Sequence, residues 1–362
     1  MVAMVISGPS ALIDLSALRH NLQCARDAAP DSRVIAVIKA NAYGHGMLRA
    51  AAALDSADAF AVARVVEGVS LREAGCDKEI LVLEGCFDGA ELSAASQYRL
   101  ELAINQSEQL DMLEQAVLPD PVRCWLKLDT GMHRLGFQVS AARDAHRRLL
   151  ACDNVHSELR LMTHLANADD LKDDASRMQI SEFIPIEEAF GIPASIANSA
   201  AILGWPESHR AWNRPGIMLY GASPIISGRA VDYGLKPVMT LSSHLIAVNH
   251  YAKGAALGYG GSWCCPEAMP VGVVAIGYGD GYPRHARAGT PVLLNGKRVP
   301  LVGRVSMDMI SLDLRTQPDA RPGDPVVLWG RGLPSEEIAE CAQTISYELF
   351  CGVTSRVPFR AC

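Results

Sequence analysis

The chain reads as an N-terminal (β/α)8 TIM-type barrel followed by a C-terminal, mainly β-strand domain. Two changes of texture carry that reading. Up to about Leu219, short apolar runs alternate with stretches of helical period. Beyond Pro237, strand-like runs succeed one another between Gly, Pro, Asn and Asp, with little helix before Ser335. Eight runs with intervening helices in about 220 residues are the repeat of a closed barrel. A doubly wound open sheet would alternate in the same way, and pattern alone prefers the barrel only modestly.

Ser16 stands where an N-cap would, before a helix with Leu18, Leu22 and Ala25 on one face that must stop near Pro30. Val34 to Ile38 is an unbroken apolar run, as a strand buried on both faces requires. Ala59–Ala63, Ile80–Leu83, Leu100–Ile104, Val122–Leu128, Leu159–His164 and Pro193–Ala197 repeat it, and a shorter eighth run ends near Arg214. Between the fourth and fifth runs, Ser107 to Val117 sets Leu110, Leu113 and Val117 in helical register.

In the second part, strands are expected at Met239–Val248, Gly272–Ile276, Val292–Leu294, Arg298–Val302, Met309–Leu314 and Val326–Leu328. Asn295-Gly296 makes a two-residue hairpin turn, and one helix covers Glu336–Thr344. The expected domains are therefore 1–237 and 238–362, with a strand near residues 10–15 able to pair with the β-domain.

Composition narrows the class. With 362 residues, 49% hydrophobic and 20% charged, the chain has the makeup of a two-domain globular enzyme. A net charge of −7 argues against a nucleic-acid surface. None of the ten cysteines forms a Cys-x-x-Cys pair, and Cys264 abuts Cys265, so reduced thiols are expected. The first residues lack the basic and apolar regions of an export signal, and no run approaches the ~20 apolar residues of a membrane span, so the cytoplasm is the expected location. Gly277, Gly279 and Gly281 lack dinucleotide-loop spacing, and no metal-ligand spacing or serine elbow appears.

Barrel enzymes place reactive groups where strands end. Lys39 directly succeeds Val34–Ile38, where desolvation makes its neutral amine accessible for an imine with an aldehyde. Alone it is equally a lysine snorkelling at a strand end. Its surroundings decide the matter. Lys-Ala-Asn-Ala-Tyr-Gly-His-Gly (39–46) resembles the cofactor-lysine motif of alanine racemases. The likeness continues through 126–137, 162–169, 197–200, 213–221, 257–261, 276–284 and 303–308, in the family's order and over essentially the whole chain.

The resemblance implies interconversion of L- and D-alanine for peptidoglycan or alanine catabolism, with pyridoxal 5′-phosphate joined to Lys39 as a Schiff base. It implies Lys39 and Tyr259 as the two proton-transferring groups, because racemisation needs an acid–base group on each face of the reacting carbon. In the family the tyrosine comes from the partner of a homodimer with shared active sites. Arg214 would lie beside the pyridine nitrogen, where a permanently charged guanidinium leaves a weaker electron sink than a carboxylate.

Tyr43, Ser199, Gly216 and Ile217 would hold the phosphate, and His164 would lie against the cofactor and link Tyr259 to Arg214. Arg134 and a backbone group of Met307 would bind the substrate carboxylate. Lys127 matches a lysine carbamylated in part of the family. Tyr278 and Arg284 are candidates for the entrance. Many members supply a second phosphate-binding tyrosine before the C-terminal Arg-Val-Pro, where this chain has Ser355.

Three rival readings share parts of this pattern. A barrel-type decarboxylase sets a carboxylate against the ring nitrogen, where this chain offers Arg214. A cofactor-binding barrel without chemistry lacks the residues after Pro237. A racemase of serine or broader specificity differs only in pocket volume.

Overall fold

The computed structural model describes residues 8–362. The first seven residues, which bear on the expected lack of an export signal, lie outside the described residues. The chain divides into two compact units. One comprises Leu18–Leu219 and Ser223–Leu235; the other comprises residues 8–17, Tyr220–Ala222 and Lys236–Cys362.

The first unit is a parallel sheet wound into a barrel. Its neighbouring strands are Trp212–Asn213, Arg33–Val37, Ala59–Val62, Glu79–Val82, Glu101–Ile104, Cys124–Asp129, Arg160–Met162 and Ala194–Ser195. An apolar run marks each of them in the sequence, because a parallel strand covered on both faces carries no polar alternation. The ring closes on a single parallel bridge between Asn198 and Arg214, where the Arg214 N–H donates to the Ala197 carbonyl at 2.9 Å.

Where the strands begin, the barrel is sealed by charge. Arg160 donates to Glu79 at 2.9 Å and Glu101 at 3.0 Å, and the Trp125 indole N–H donates to Glu101 at 2.6 Å. Trp212 packs edge-on against Trp125. Chemistry is left to the opposite rim.

The second unit is antiparallel. Met239–Tyr251 pairs through Leu241–His244 with Pro325–Trp329, and from Leu245 onward, past a bulge, with Met269–Val274. Ile310–Asp313, Lys297–Val302 and Pro291–Leu294 complete a ring of six strands. Ser10–Ile13 pairs antiparallel with Met239–Ser242, and Phe359–Ala361 pairs parallel beside it. Asn295 (φ 52°) and Gly296 (φ 76°) both lie in the left-handed region of a type I′ turn, whose twist matches its strands.

Three local expectations are corrected. The helix Leu15–Ala28 is capped by Asp14 rather than Ser16: the Asp14 carboxylate accepts from the Ser16 N–H, the Ser16 hydroxyl and the Ala17 N–H. Val117 lies beyond the helix Ser107–Gln115 and is 96% exposed, because Ala116 is extended and ends the helical period. The single C-terminal helix is two, Ser335–Cys341 and Ser346–Gly352, interrupted where Gln343 takes a φ of 55°. No helix among the described residues is long and apolar enough to cross a membrane.

Asp14 also accepts from Arg331 at 2.8 Å. Burial would raise its pKa, but the bonds from Ser16, Ala17 and Arg331 prevail and lower it from 3.8 to about 2. Its contribution to stability is therefore present above 3.8 and lost as pH falls through about 2. Asp14→Ala is expected to destabilise the protein by about 1 kcal/mol at neutral pH. The difference should close in acid, as measured by denaturant unfolding of the two proteins across pH.

Candidate active site

Lys39 stands at the C-terminal rim of the first barrel strand, and the backbone before it is locked into the barrel. Val37 donates to the Pro215 carbonyl at 2.9 Å and Ile38 to the Ala61 carbonyl at 2.8 Å. The backbone after Lys39 is unusual. Ala40, Asn41, Ala42 and Tyr43 all have φ between 51° and 55°, and Gly44 continues at 81°. Such a left-handed turn costs on the order of 1–2 kcal/mol per non-glycine residue, so its surroundings must hold it.

Several side chains do so. Glu67 accepts from the Ala40 N–H at 2.8 Å, and Asn41 Oδ1 from the Met47 N–H at 2.8 Å. His45 Nδ1 lies 3.0 Å from the Ala42 carbonyl and 2.9 Å from that of Tyr43. Those partners only accept, so Nδ1 carries the hydrogen. Burial lowers the His45 pKa to about 4, and the ring is neutral.

Arg214 is buried at the closing seam of the barrel. Its guanidinium donates to Ser195 Oγ at 2.5 Å, the Thr163 carbonyl at 2.6 Å and the Ile196 carbonyl at 3.2 Å, and lies 3.5 Å from His164 Nδ1. These partners are a hydroxyl, two carbonyls and an imidazole, and no carboxylate is among them. Burial lowers its pKa to about 10, which still leaves it protonated at neutral pH.

The other cations gather around it. Burial and then the charges of Arg214, Arg134 and Lys39 lower the Lys127 pKa to about 8. Burial and the same groups, together with Lys127, hold His164 well below its ordinary value. Asp129 acts the other way on Lys127, but its oxygens accept from the Gly131 and His133 N–H groups and meet the His133 ring. Those bonds shape the loop that carries exposed Arg134. The loop turns back so tightly that a Cβ on Gly136 would lie 2.6 Å from the Asp129 nitrogen.

Beside this nest is a small polar cradle. Ser199 Oγ accepts from the Gly216 N–H at 2.7 Å and from the Met218 N–H at 3.4 Å. Asn198 caps the Ser199–Gly204 helix through the Ala201 N–H. Ile217 opens a 3-10 turn, two residues after Pro215, so the proline precedes the turn rather than beginning it. A Cβ on Gly216 would sit 2.5 Å from the Tyr43 hydroxyl. Tyr43, Ser199 and Gly216 thus converge, and the two hydroxyls are donors suited to phosphate. With Arg214 and Lys39 on the same rim, the residues fit pyridoxal 5′-phosphate. Among the described residues no cluster of three or more His, Cys, Asp or Glu could hold a metal ion.

Tyr259 and Met307 belong to the second unit. Tyr259 opens a 3-10 turn beside the short Ala256–Leu257/Trp263–Cys264 hairpin and is 72% exposed. Met307 is 52% exposed, and its carbonyl accepts from the Gly279 N–H at 2.8 Å. Arg356 fastens this loop by donating to Asp308 at 2.8 Å. Tyr278 is partly exposed near the same loop, and Ser355 is exposed beside Arg356.

Glu67, His45, Ser195 and Arg356 take part in this architecture, and only His45, in the Lys39 motif, and Arg356, in the C-terminal Arg-Val-Pro, carry any mark in the sequence. Ser195 lies inside an apolar run, where a lone hydroxyl carries no signal. Glu67 resembles an ordinary residue of a helical first turn. His45 alone stands within the motif around Lys39.

The sequence profile described as "Alanine racemase, N-terminal domain" matches residues 13–224, and that described as "Alanine racemase, C-terminal domain" matches 238–361. The "Alanine racemase" of Nitrosococcus oceani is 54% identical over 350 residues, covering 97% of this chain and 98% of that protein. The "Alanine racemase, biosynthetic" of Escherichia coli K12 is 49% identical over 350 residues, covering 96% and 98%. The crystal structure of biosynthetic alanine racemase from Pseudomonas aeruginosa superposes with a TM-score of 0.96 at 46% identity, covering 99% of this chain and 100% of that one.

The Gly216 geometry yields a direct test of the cradle. Gly216→Ala pushes a methyl group onto the Tyr43 hydroxyl. Calorimetric titration with pyridoxal 5′-phosphate should show binding weakened at least about tenfold, equivalent to about 1.4 kcal/mol. Unchanged affinity would place the phosphate elsewhere.

Proposed function

The chain belongs to the alanine racemase family, and from that premise we propose that it interconverts L- and D-alanine with pyridoxal 5′-phosphate held at Lys39. Its D-alanine would serve cell-wall peptidoglycan, in keeping with the biosynthetic naming of its relatives. The observation that carries this reading is the electrostatic nest of Lys39, Lys127, Arg134 and Arg214 at one barrel rim. Excess positive charge of this kind suits a phosphorylated cofactor and a substrate carboxylate arriving together.

When bound, the cofactor supplies an electron-withdrawing ring that acidifies the substrate's α hydrogen. The protein's own groups do the rest. Lys39 would hold the cofactor, and its amine would move a proton at one face of the substrate's α carbon. The partner subunit's Tyr259 serves the other face, and its exposure in a single chain supports delivery to a second copy. The partner subunit's Met307 offers a backbone group to the substrate carboxylate, alongside Arg134.

Tyr43, Ser199, Gly216 and Ile217 hold the phosphate. Arg214 would stand beside the cofactor ring as a donor that keeps its proton, which would limit how far negative charge can flow into the ring. His164, neutral beside Arg214, passes hydrogen bonding toward Tyr259 without adding another charge.

Lys127 takes a further role. A pKa near 8 makes a substantial share of its amine neutral under mildly basic conditions, and a neutral amine can add carbon dioxide. The resulting carbamate would set an anion among Arg134, Arg214 and Lys39, and would hold Arg134 in place. Native mass spectrometry in bicarbonate should find a mass increase of one carbon dioxide that Lys127→Ala abolishes. An unmodified mass under those conditions removes this role.

The activity itself is tested by incubating purified protein with L-alanine and monitoring D-alanine. Lys39→Ala should abolish turnover, and Tyr259→Phe should lower it by roughly 100- to 10,000-fold. In deuterated solvent, Tyr259→Phe should also change label incorporation for one enantiomer more than for the other. An equal loss in both directions with an unchanged isotope pattern would refute Tyr259 as a face-specific base.

A further inference from the structure

The turn after Lys39 needs an anchor at its first residue. Four consecutive left-handed residues begin directly after the amine-bearing residue, and the backbone N–H of Ala40 is the first group that any relaxation of the turn would move. That N–H points at Glu67, a half-buried residue in the first turn of the helix Val65–Glu73, which comes after the second barrel strand. Glu67 Oε1 accepts from Ala40 at 2.8 Å. Glu67 Oε2 accepts from Ala63 at 2.8 Å and from Arg64 at 3.2 Å. One carboxylate therefore ties the loop after the first barrel strand to the loop after the second.

The chemistry of the three partners explains the residue type. All are N–H donors, and they engage both oxygens. An amide of the same shape offers one acceptor oxygen and one NH2, and the NH2 would face an N–H on one side or the other. Aspartate keeps the two oxygens but is one methylene shorter, too short to span both loops at these distances.

We propose that Glu67 is a positioning residue for Lys39, acting through the Ala40 N–H to keep the left-handed turn and hence the direction in which the Lys39 amine leaves the rim. The proposal rests on the reading of Lys39 as the amine that holds the cofactor. The three groups that donate to Glu67 are all backbone N–H groups, so it acts through the backbone.

The test compares wild-type protein with Glu67→Gln. Three quantities are read: affinity for added pyridoxal 5′-phosphate, circular dichroism of the bound chromophore, and the Lys39 peptide labelled after borohydride reduction. Glu67→Gln should unfold thermally within a few degrees of wild type when both lack cofactor. It should nevertheless bind the cofactor roughly 10- to 100-fold more weakly, with altered chromophore dichroism and less Lys39 label at equal cofactor. At saturating cofactor, kcat should fall while KM for alanine changes little.

A folded Glu67→Gln with wild-type affinity and wild-type dichroism overturns the proposal. If that variant does not fold, Glu67→Asp is read by the same measurements and the same equality overturns it. A wild-type protein whose Lys39 carries no label would overturn the cofactor reading instead, so the two failures are distinguishable.

Discussion

The buried guanidinium of Arg214 is the constraint on which the rest of the first unit depends. Its backbone closes the barrel, through the Asn198 bridge and the N–H donated to Ala197. Its side chain points into the rim, held by Ser195, Thr163 and Ile196 with no carboxylate among those partners. A buried cation so placed is expensive, and neutral dipoles offset only part of the cost. Burial and then the same charge depress Lys127 and His164. A single residue therefore joins barrel closure to the electrostatics of the site. The site's capacity for anions is a consequence, since ligands of negative charge relieve the imbalance that the fold leaves.

A second expense lies beside it on the same rim, after the strand that pairs with the one leading to Arg214. The left-handed run from Ala40 to Gly44 is held by Glu67 and Asn41, which accept from the Ala40 and Met47 N–H groups, and by His45, whose Nδ1–H donates to the Ala42 carbonyl. Strain of this kind persists only where the surrounding structure over-determines it. Here the strain places Lys39 and Tyr43 on one short segment, with Tyr43 turned back onto Gly216 so closely that no side chain fits there. The Lys39 amine and the Tyr43–Gly216 cradle are thus set relative to each other by the local backbone rather than by long side chains.

The second unit presents its functional residues differently. Tyr259, Met307 and partly exposed Tyr278 sit on turns at the surface, fastened from behind by main-chain bonds and by Arg356 on Asp308. A six-strand ring supplies rigidity without burying them. Tyr259 is left 72% exposed on such a turn, although the interior of the unit is well packed.

By itself the sequence determined the element order, because a barrel strand buried on both faces must be an unbroken apolar run and antiparallel strands must be cut by turn residues. It also supplied the candidate site residues, since Lys39, Arg134, Arg214 and Tyr259 sit in contiguous motifs that resemble those of the family. Only the tertiary structure decided the features that depend on convergence. Asp14 rather than Ser16 caps the first helix through its carboxylate, and the left-handed backbone of Gln343 splits the last one, neither of which periodicity encodes. The roles of Glu67 and Ser195 were hidden for the same reason: a carboxylate or hydroxyl declares its partner only when distant segments are brought within hydrogen-bonding distance. The lowered pKa values of Lys127 and His164 likewise arise from burial beside charges that lie far apart along the chain, and burial is a property of the fold, not of the residue.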